Sequence, residues 1–203
     1  MAADYDRNAR IYDRLIGNRL YNRLVWGTSP QDYADFATEA LASADGPFLD
    51  AGCGTLVFTA EPYAATSRPL TLVDDSQGML DKAAERLGNS SADLRQADLF
   101  DLPFEPGGFA TVACHGVLHV LAEPWKALAA LRAQVAPGGT FFASMLVRDR
   151  TVGGTYLEFL QRAGEVGPPR TEAELTAAAH DVFGAAARVT RTGSMAWLRA
   201  TAS

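Results

Sequence analysis

Cysteine and histidine are scarce in this 203-residue chain, which has two of the first and three of the second. Cys53 and Cys114 build no disulfide framework, and the scattered histidines complete no metal set with them. No apolar run approaches the length of a membrane span, so no membrane contact is expected. The opening residues, MAADYDRNAR, have no signal-peptide core, and the expectation is a soluble, cytoplasmic protein. Positive charge is short as well. Eighteen Lys and Arg stand against 24 Asp and Glu, a net charge of -6, which excludes a nucleic-acid partner of the ordinary kind because that demands a basic face. Repeats, low-complexity tracts and an interdomain linker are also missing.

What is present suits one globular domain: 48% hydrophobic and 21% charged residues, in a chain long enough to bury a sizeable core. Tyr5, Ala9, Tyr12 and Ile16 recur at helical spacing, and Leu20, Leu24 and Val25 continue that face past Gly17. Residues 26–30 break the helix, and a second one is predicted from Gln31 to about Ser43. Strands are then predicted at 48–50, 70–73, 94–97, 109–114 and 140–147, alternating with helices at 58–65, 77–87 and 124–135. Such alternation marks a parallel sheet covered on both faces. Residues 151–182 read as a loop with helices, Thr171 capping the last. The runs 187–192 and 195–200 around Gly193-Ser194 read as a hairpin. The fold class is therefore α/β, a Rossmann-like, mostly parallel sheet of seven strands with a C-terminal antiparallel hairpin. Residues 1–45 form a helical cap in this reading and residues 46–203 the binding domain.

The stretch FLDAGCG, residues 48–54, is an apolar strand that runs through Asp50 into Gly52 and Gly54. Bare backbone there lets the chain turn sharply and lie close to a ligand. About twenty residues on, the run Leu70–Val73 ends in Asp74, where a carboxylate can accept both hydroxyls of a ribose. A dinucleotide site would want glycine at position 57, beneath a pyrophosphate. Val57 stands there, and Asp50 would repel the phosphates, so a nucleoside cofactor carrying positive charge is expected instead.

With Asp50, Gly52 and Gly54 in this order, the chain resembles the class I S-adenosylmethionine-dependent methyltransferases, whose first motif is acidic-x-G-x-G-x-G. The stretch LVDDSQGML is similar to their second motif and QADLFDLPF to their third, while VLHVL and VAPGGTF are similar to the fourth and fifth in the small-molecule, quinone-biosynthesis-like branch. The resemblance covers residues 46–147 and implies S-adenosyl-L-methionine as cofactor. It implies contacts from Asp50, Gly52, Cys53, Gly54, Asp74, Asp75, Met79, Asp98, Leu99, His115 and, from the cap, Tyr12. Asp98 would accept the adenine amino group and Leu99 would offer backbone to the ring. Leu56 departs from the pattern where a third glycine usually stands, Asp75 where an apolar residue does, Ala110 where aspartate does and Ala133 where arginine does.

The implied activity is methyl transfer to a small-molecule acceptor, at oxygen before nitrogen or carbon, by a monomer or homodimer. The alternative is an enzyme of the same fold that binds the cofactor and catalyses a cyclisation or rearrangement. Ligands of open α/β sheets gather beyond the carboxyl ends of the strands. His115, just past the fourth strand, is a candidate base with an ordinary titration near pH 6.5. His119 is a second candidate, read first as a residue holding its loop in shape. Cys53 and Cys114 end strands expected to be neighbours, which places both thiols at the pocket in this reading.

Overall fold

A computed structural model describes residues 19–203. Tyr5, Tyr12 and the rest of the first eighteen residues lie outside the described part. A helical turn, Arg19–Tyr21, leads into a π-helical turn, Asn22–Trp26, which Gly27 closes in the left-handed region at φ 68°. The wider π turn rotates the predicted apolar face. Leu20 and Leu24, expected to point inward, are exposed, whereas Trp26 and Asn22 are buried. Helix α1, Pro30–Ala42, begins at a capping box: the Asp32 amide donates to Ser29 Oγ at 3.3 Å and the Ser29 amide donates to Asp32 Oδ2 at 2.6 Å. Pairing the orphan amides of the first turn in this way starts the helix one residue earlier than Gln31.

The strands are β1 (Phe48–Ala51), β2 (Leu70–Asp74), β3 (Asp93–Gln96), β4 (Phe109–His115), β5 (Val135–Leu146), β6 (Arg188–Thr192) and β7 (Met195–Thr201). The helices after α1 are α2 (Ala60–Ala65), α3 (Gln77–Leu87), α4 (Pro124–Gln134), α5 (Val152–Arg162) and α6 (Glu172–Phe183). Sheet order is β3-β2-β1-β4-β5-β7-β6, with the first five strands parallel and β7 antiparallel to both neighbours. The sequence reading of a seven-stranded sheet with a closing hairpin agrees with this order.

Several boundaries differ. Helix α2 starts at Ala60 rather than Phe58, because residues 55–59 continue the glycine loop. β3 begins one residue before Leu94 and stops at Gln96. The Pro137-Gly138-Gly139 turn expected before β5 lies inside it. There Gly138 donates to Ala202 O and the Ala202 amide donates to Gly139 O, each at 2.8 Å, so the turn, with Gly138 at φ 74° and a register shift against β4, is paired inside the sheet.

Side chains alternate across this sheet as a period of two requires. Phe48, Leu72, Ala113, Phe142, Leu146 and Trp197 enter one core, covered by α1, α2, α3 and α5. Leu49, Ala51, Val112, Cys114, Phe141 and Leu198 enter the other, covered by α4 and α6. Cys114 therefore faces the α4/α6 core, while Cys53 packs against the opposite one; the expectation that both thiols line one pocket is overturned by this parity.

Candidate functional site

Connections leave β1 toward β2 and β3 on one side, then return to β4 on the other, so the strand order reverses between β1 and β4. A crevice opens at such a point beyond the carboxyl ends of the two strands, because the loops diverge there. The loop after β1 carries Gly52 and Gly54. The loop after β4 carries Gly116 and Val117.

The glycine loop is held from beneath. The amides of Gly52 and Cys53 both donate to Val73 O, at 2.7 and 2.9 Å. Arg86 of α3 donates to the Thr55 carbonyl from the side. The two glycines serve different ends. A Cβ on Gly52, at φ 77°, would sit 2.5 Å from Val117 Cγ2, so its bareness makes room for the neighbouring loop rather than for a ligand. Gly54, at φ 56°, has nothing within 4 Å of its Cβ position and leaves open space at the mouth of the crevice. Leu56 also takes a left-handed conformation, φ 56°, alone among the described non-glycine residues. The third glycine of the pattern would have no difficulty there. Leucine pays about 1–2 kcal/mol for it, and its side chain is buried in the core that also holds Phe48 and Tyr63.

Asp74 joins two loops. Its Oδ2 accepts from the Gly54 amide at 2.8 Å and its Oδ1 from the Ser76 amide at 3.1 Å. Ser76 then caps α3, accepting from the Met79 amide at 3.2 Å, and Met79 is buried in the first turn. Each Asp74 oxygen keeps a second lone pair for a hydroxyl. Burial raises its pKa to about 6, opposed by those two amides. Asp75 is exposed, and its carbonyl accepts from Gln96 Nε2 at 2.8 Å. Asp98 is exposed past β3, its carboxylate accepting from the Phe100 amide at 2.8 Å; Leu99 beside it is buried in the α4/α6 core.

Asp50 is 1% exposed on the same sheet face as Phe48. Tyr63 Oη donates to its Oδ2 at 2.9 Å, and its Oδ1 is buried without a partner. Burial lifts its pKa to about 7 against that one hydrogen bond. Sequence reasoning missed Tyr63: a tyrosine 13 residues from Asp50 carries no local signal, and only α2 packing on β1 brings the two together. The Cys53 thiol is pushed well up by burial, then by Asp50 and Asp74, and the Cys114 thiol by burial and Asp50; both stay protonated and are poor nucleophiles.

His115 ends β4 on the Asp50 face, its ring edge-on to Phe36 with centroids 5.5 Å apart. Its Nε2 is buried and without a partner. Burial lowers its pKa to about 4, not the ordinary 6.5, so the imidazole is neutral at physiological pH. His119 is also lowered by burial to about 4; its Nδ1 accepts a long 3.5 Å bond from the Leu146 amide and its carbonyl accepts from the Gly167 amide at 3.0 Å. It ties the loop after β4 to β5 and to the segment before α6. A wall of aromatic rings stands where the N-terminal segment meets α5: Tyr156 lies 5.5 Å from Trp26 and 6.4 Å from Tyr21.

Residues 49–143 match the family model described as a methyltransferase domain. A demethylmenaquinone methyltransferase of Clavibacter sepedonicus is 31% identical over 141 residues, 68% of this chain and 55% of that protein. The chain spans between 28% and 55% of the length of the curated relatives it matches. Among solved structures, a SAM-dependent methyltransferase of Thermotoga maritima, a possible histamine N-methyltransferase, superposes with TM-score 0.71 at 14% identity, covering 100% of this chain and 99% of that one. Geranyl diphosphate C-methyltransferase of Streptomyces coelicolor, crystallised with S-adenosyl-L-homocysteine, gives 0.67 at 13% identity, covering 85% and 77%.

Proposed function

We propose, from the premise that residues 49–143 are an S-adenosylmethionine-dependent methyltransferase domain, that the protein transfers the cofactor's methyl group to the hydroxyl oxygen of a small, largely apolar acceptor in the cytoplasm. The observation that carries the reading is the glycine loop at the strand-order reversal, where Gly54 has open space at its Cβ position, its amide donates to Asp74, and β1 just before it carries Asp50 with a buried, unpartnered oxygen. These residues fit the cofactor: a carboxylate with free lone pairs for the ribose, bare backbone for close approach, and an acid for the positive end. Asp75, Asp98 and Leu99 line the adenine side in this reading. Residues 1–45 act as the cap, its described end, Arg19–Trp26, supplying aromatic wall and α1 covering the sheet.

When bound, the cofactor supplies a sulfonium methyl that is already electrophilic. The protein's task is then orientation, which supplies about 7–11 kcal/mol of a barrier when reacting groups are held in line. His115, neutral and with Nε2 unpartnered, would accept the hydrogen bond of the acceptor hydroxyl and take its proton as the methyl passes to oxygen; the methyl–sulfur bond would break with its electron pair left on a neutral thioether, and the proton would go later to solvent. Tyr21, Trp26 and Tyr156 exclude water and favour a planar or apolar acceptor body.

Incubation with methyl-labelled S-adenosylmethionine and a panel of phenols, hydroxyquinones and amines tests the reading. Label on a hydroxyl acceptor is expected. Binding without transfer to any acceptor would indicate the cyclisation or rearrangement alternative. For the base, His115→Ala should lower the maximal rate about 10²–10⁴-fold. Because burial holds His115 at about 4, the wild-type rate at saturating cofactor should be flat from pH 6 to 9 rather than rise through 6.5. A near-normal rate in His115→Ala removes the base from the mechanism.

A further inference from the structure

We propose that Asp50 is a proton-coupled anchor, which gives up a proton to solvent when the positive charge of the cofactor's methionine end binds, and that Tyr63 is the positioning residue that holds it. The inference rests on the cofactor reading above and goes beyond it in assigning a charge state and a partner.

Phe48 and Asp50 alternate onto one face of β1, and α2 lays Tyr63 across them: its ring meets Phe48 at 5.6 Å and its hydroxyl donates to Asp50 Oδ2 at 2.9 Å. Tyr63 is fully buried and Asp50 is 1% exposed. The titratable groups around this carboxyl are Tyr63 from α2, Cys53 from the glycine loop, Asp74 from β2 and His115, neutral, further along the same face of β4, while Cys114 acts on it from the opposite face of that strand. None is a cation, and no Arg or Lys among the described residues pairs with Asp50. A buried carboxylate with one donor and one orphaned oxygen is costly, so the neutral acid is favoured in the free protein. Burial accordingly raises Asp50 to about 7, and Tyr63, itself pushed well up, remains a donor throughout.

A cation brought beside Oδ1 reverses the balance, since an opposite charge within about 4–6 Å favours the ionised form. Binding then expels a proton wherever Asp50 was protonated. By linkage, cofactor affinity should rise about tenfold between pH 6 and pH 8 and level off above it. Tyr63 stabilises only the ionised form through its hydrogen bond. Without that bond Asp50 keeps its proton to higher pH.

Titration calorimetry of S-adenosylmethionine in two buffers of different ionisation enthalpy reads the proton directly. Wild type should release most of a proton at pH 6 and almost none at pH 9. Asp50→Asn should bind with that release abolished and the pH dependence flattened, which separates Asp50 from Asp74. Tyr63→Phe should shift the release to higher pH; a role in packing alone would change affinity equally at every pH. Uncharged 5′-methylthioadenosine should bind without releasing the proton. Buffer-independent enthalpy in wild type at pH 6, with binding intact, overturns the anchor. Absence of any cofactor binding overturns instead the methyltransferase reading on which it stands.

Discussion

At the scale of single residues, the departures from the family pattern and the buried polar atoms are the informative positions. Leu56 stands in a conformation that costs about 1–2 kcal/mol for an L residue, yet its side chain is 2% exposed. Removing a buried leucine costs about 2–5 kcal/mol, so the packing outweighs the strain. Leu56→Gly should therefore destabilise the protein by about 1–3 kcal/mol in urea denaturation and leave cofactor affinity nearly unchanged, because the side chain is buried in the core. A large rise in affinity with unchanged stability would show that the leucine obstructs the site. Asp74 is the opposite case. Hydrogen bonds to a charged group contribute about 1.5–3 kcal/mol each, and Asp74→Ala loses two structural ones as well as those proposed to the ribose. A fall in affinity of tenfold or more is expected by calorimetry, with the sheet intact by circular dichroism.

Among the elements, the junction of the segment Asn22–Trp26 with the closing hairpin decides how that segment is held. The Ser194 amide donates to Trp26 O at 2.7 Å, and a Cβ on Gly193 would lie 2.0 Å from that same oxygen. Gly153 at the start of α5 would likewise place a Cβ 2.3 Å from Ser194 Oγ and 2.7 Å from Val25 O. Glycines thus let three elements meet backbone to backbone. Asp149 braces the meeting point, accepting from Thr151, from Ser194 Oγ at 3.1 Å and from Arg191 at 3.1 Å. Gly193→Ala should push Trp26 off the hairpin, lower acceptor turnover and raise susceptibility of the first thirty residues to protease. Cofactor affinity should survive, since Asp50, Gly54 and Asp74 are untouched. If turnover and proteolysis match the wild type, the junction has no part in acceptor binding.

The whole molecule carries buried groups that answer acid in opposite directions. His115 and His119, lowered to about 4, bind protons less readily folded than unfolded, so stability is lost as pH falls from about 6.5 toward 4. Asp50 and Asp74, raised from 3.8 to about 7 and about 6, bind them more readily folded, so their contribution is full below 3.8 and is lost progressively as pH rises from there to about 7 and about 6. The two effects offset each other between pH 4.5 and 6.5, and the melting temperature of the free protein should change little there. Asp50→Asn removes the larger acid contribution, and its melting temperature should drop on acidification across that window. A variant as flat as wild type contradicts the assignment. Much of this molecule follows from local pattern: apolar runs alternating with helical faces define the strand succession, and Asp50, Gly52, Gly54 and Asp74 mark the proposed nucleoside site because their spacing is set within one βαβ unit. Folding alone decided the rest. Pairing of β1 with β4 made Gly52 a seat for Val117, sheet parity sent Cys114 away from Cys53, and burial moved His115 from the ordinary histidine range. The Tyr63 contact with Asp50 arose when α2 docked. These depend on which side chains displace water around a group, and that is a property of packing in three dimensions, which no window of neighbouring residues encodes.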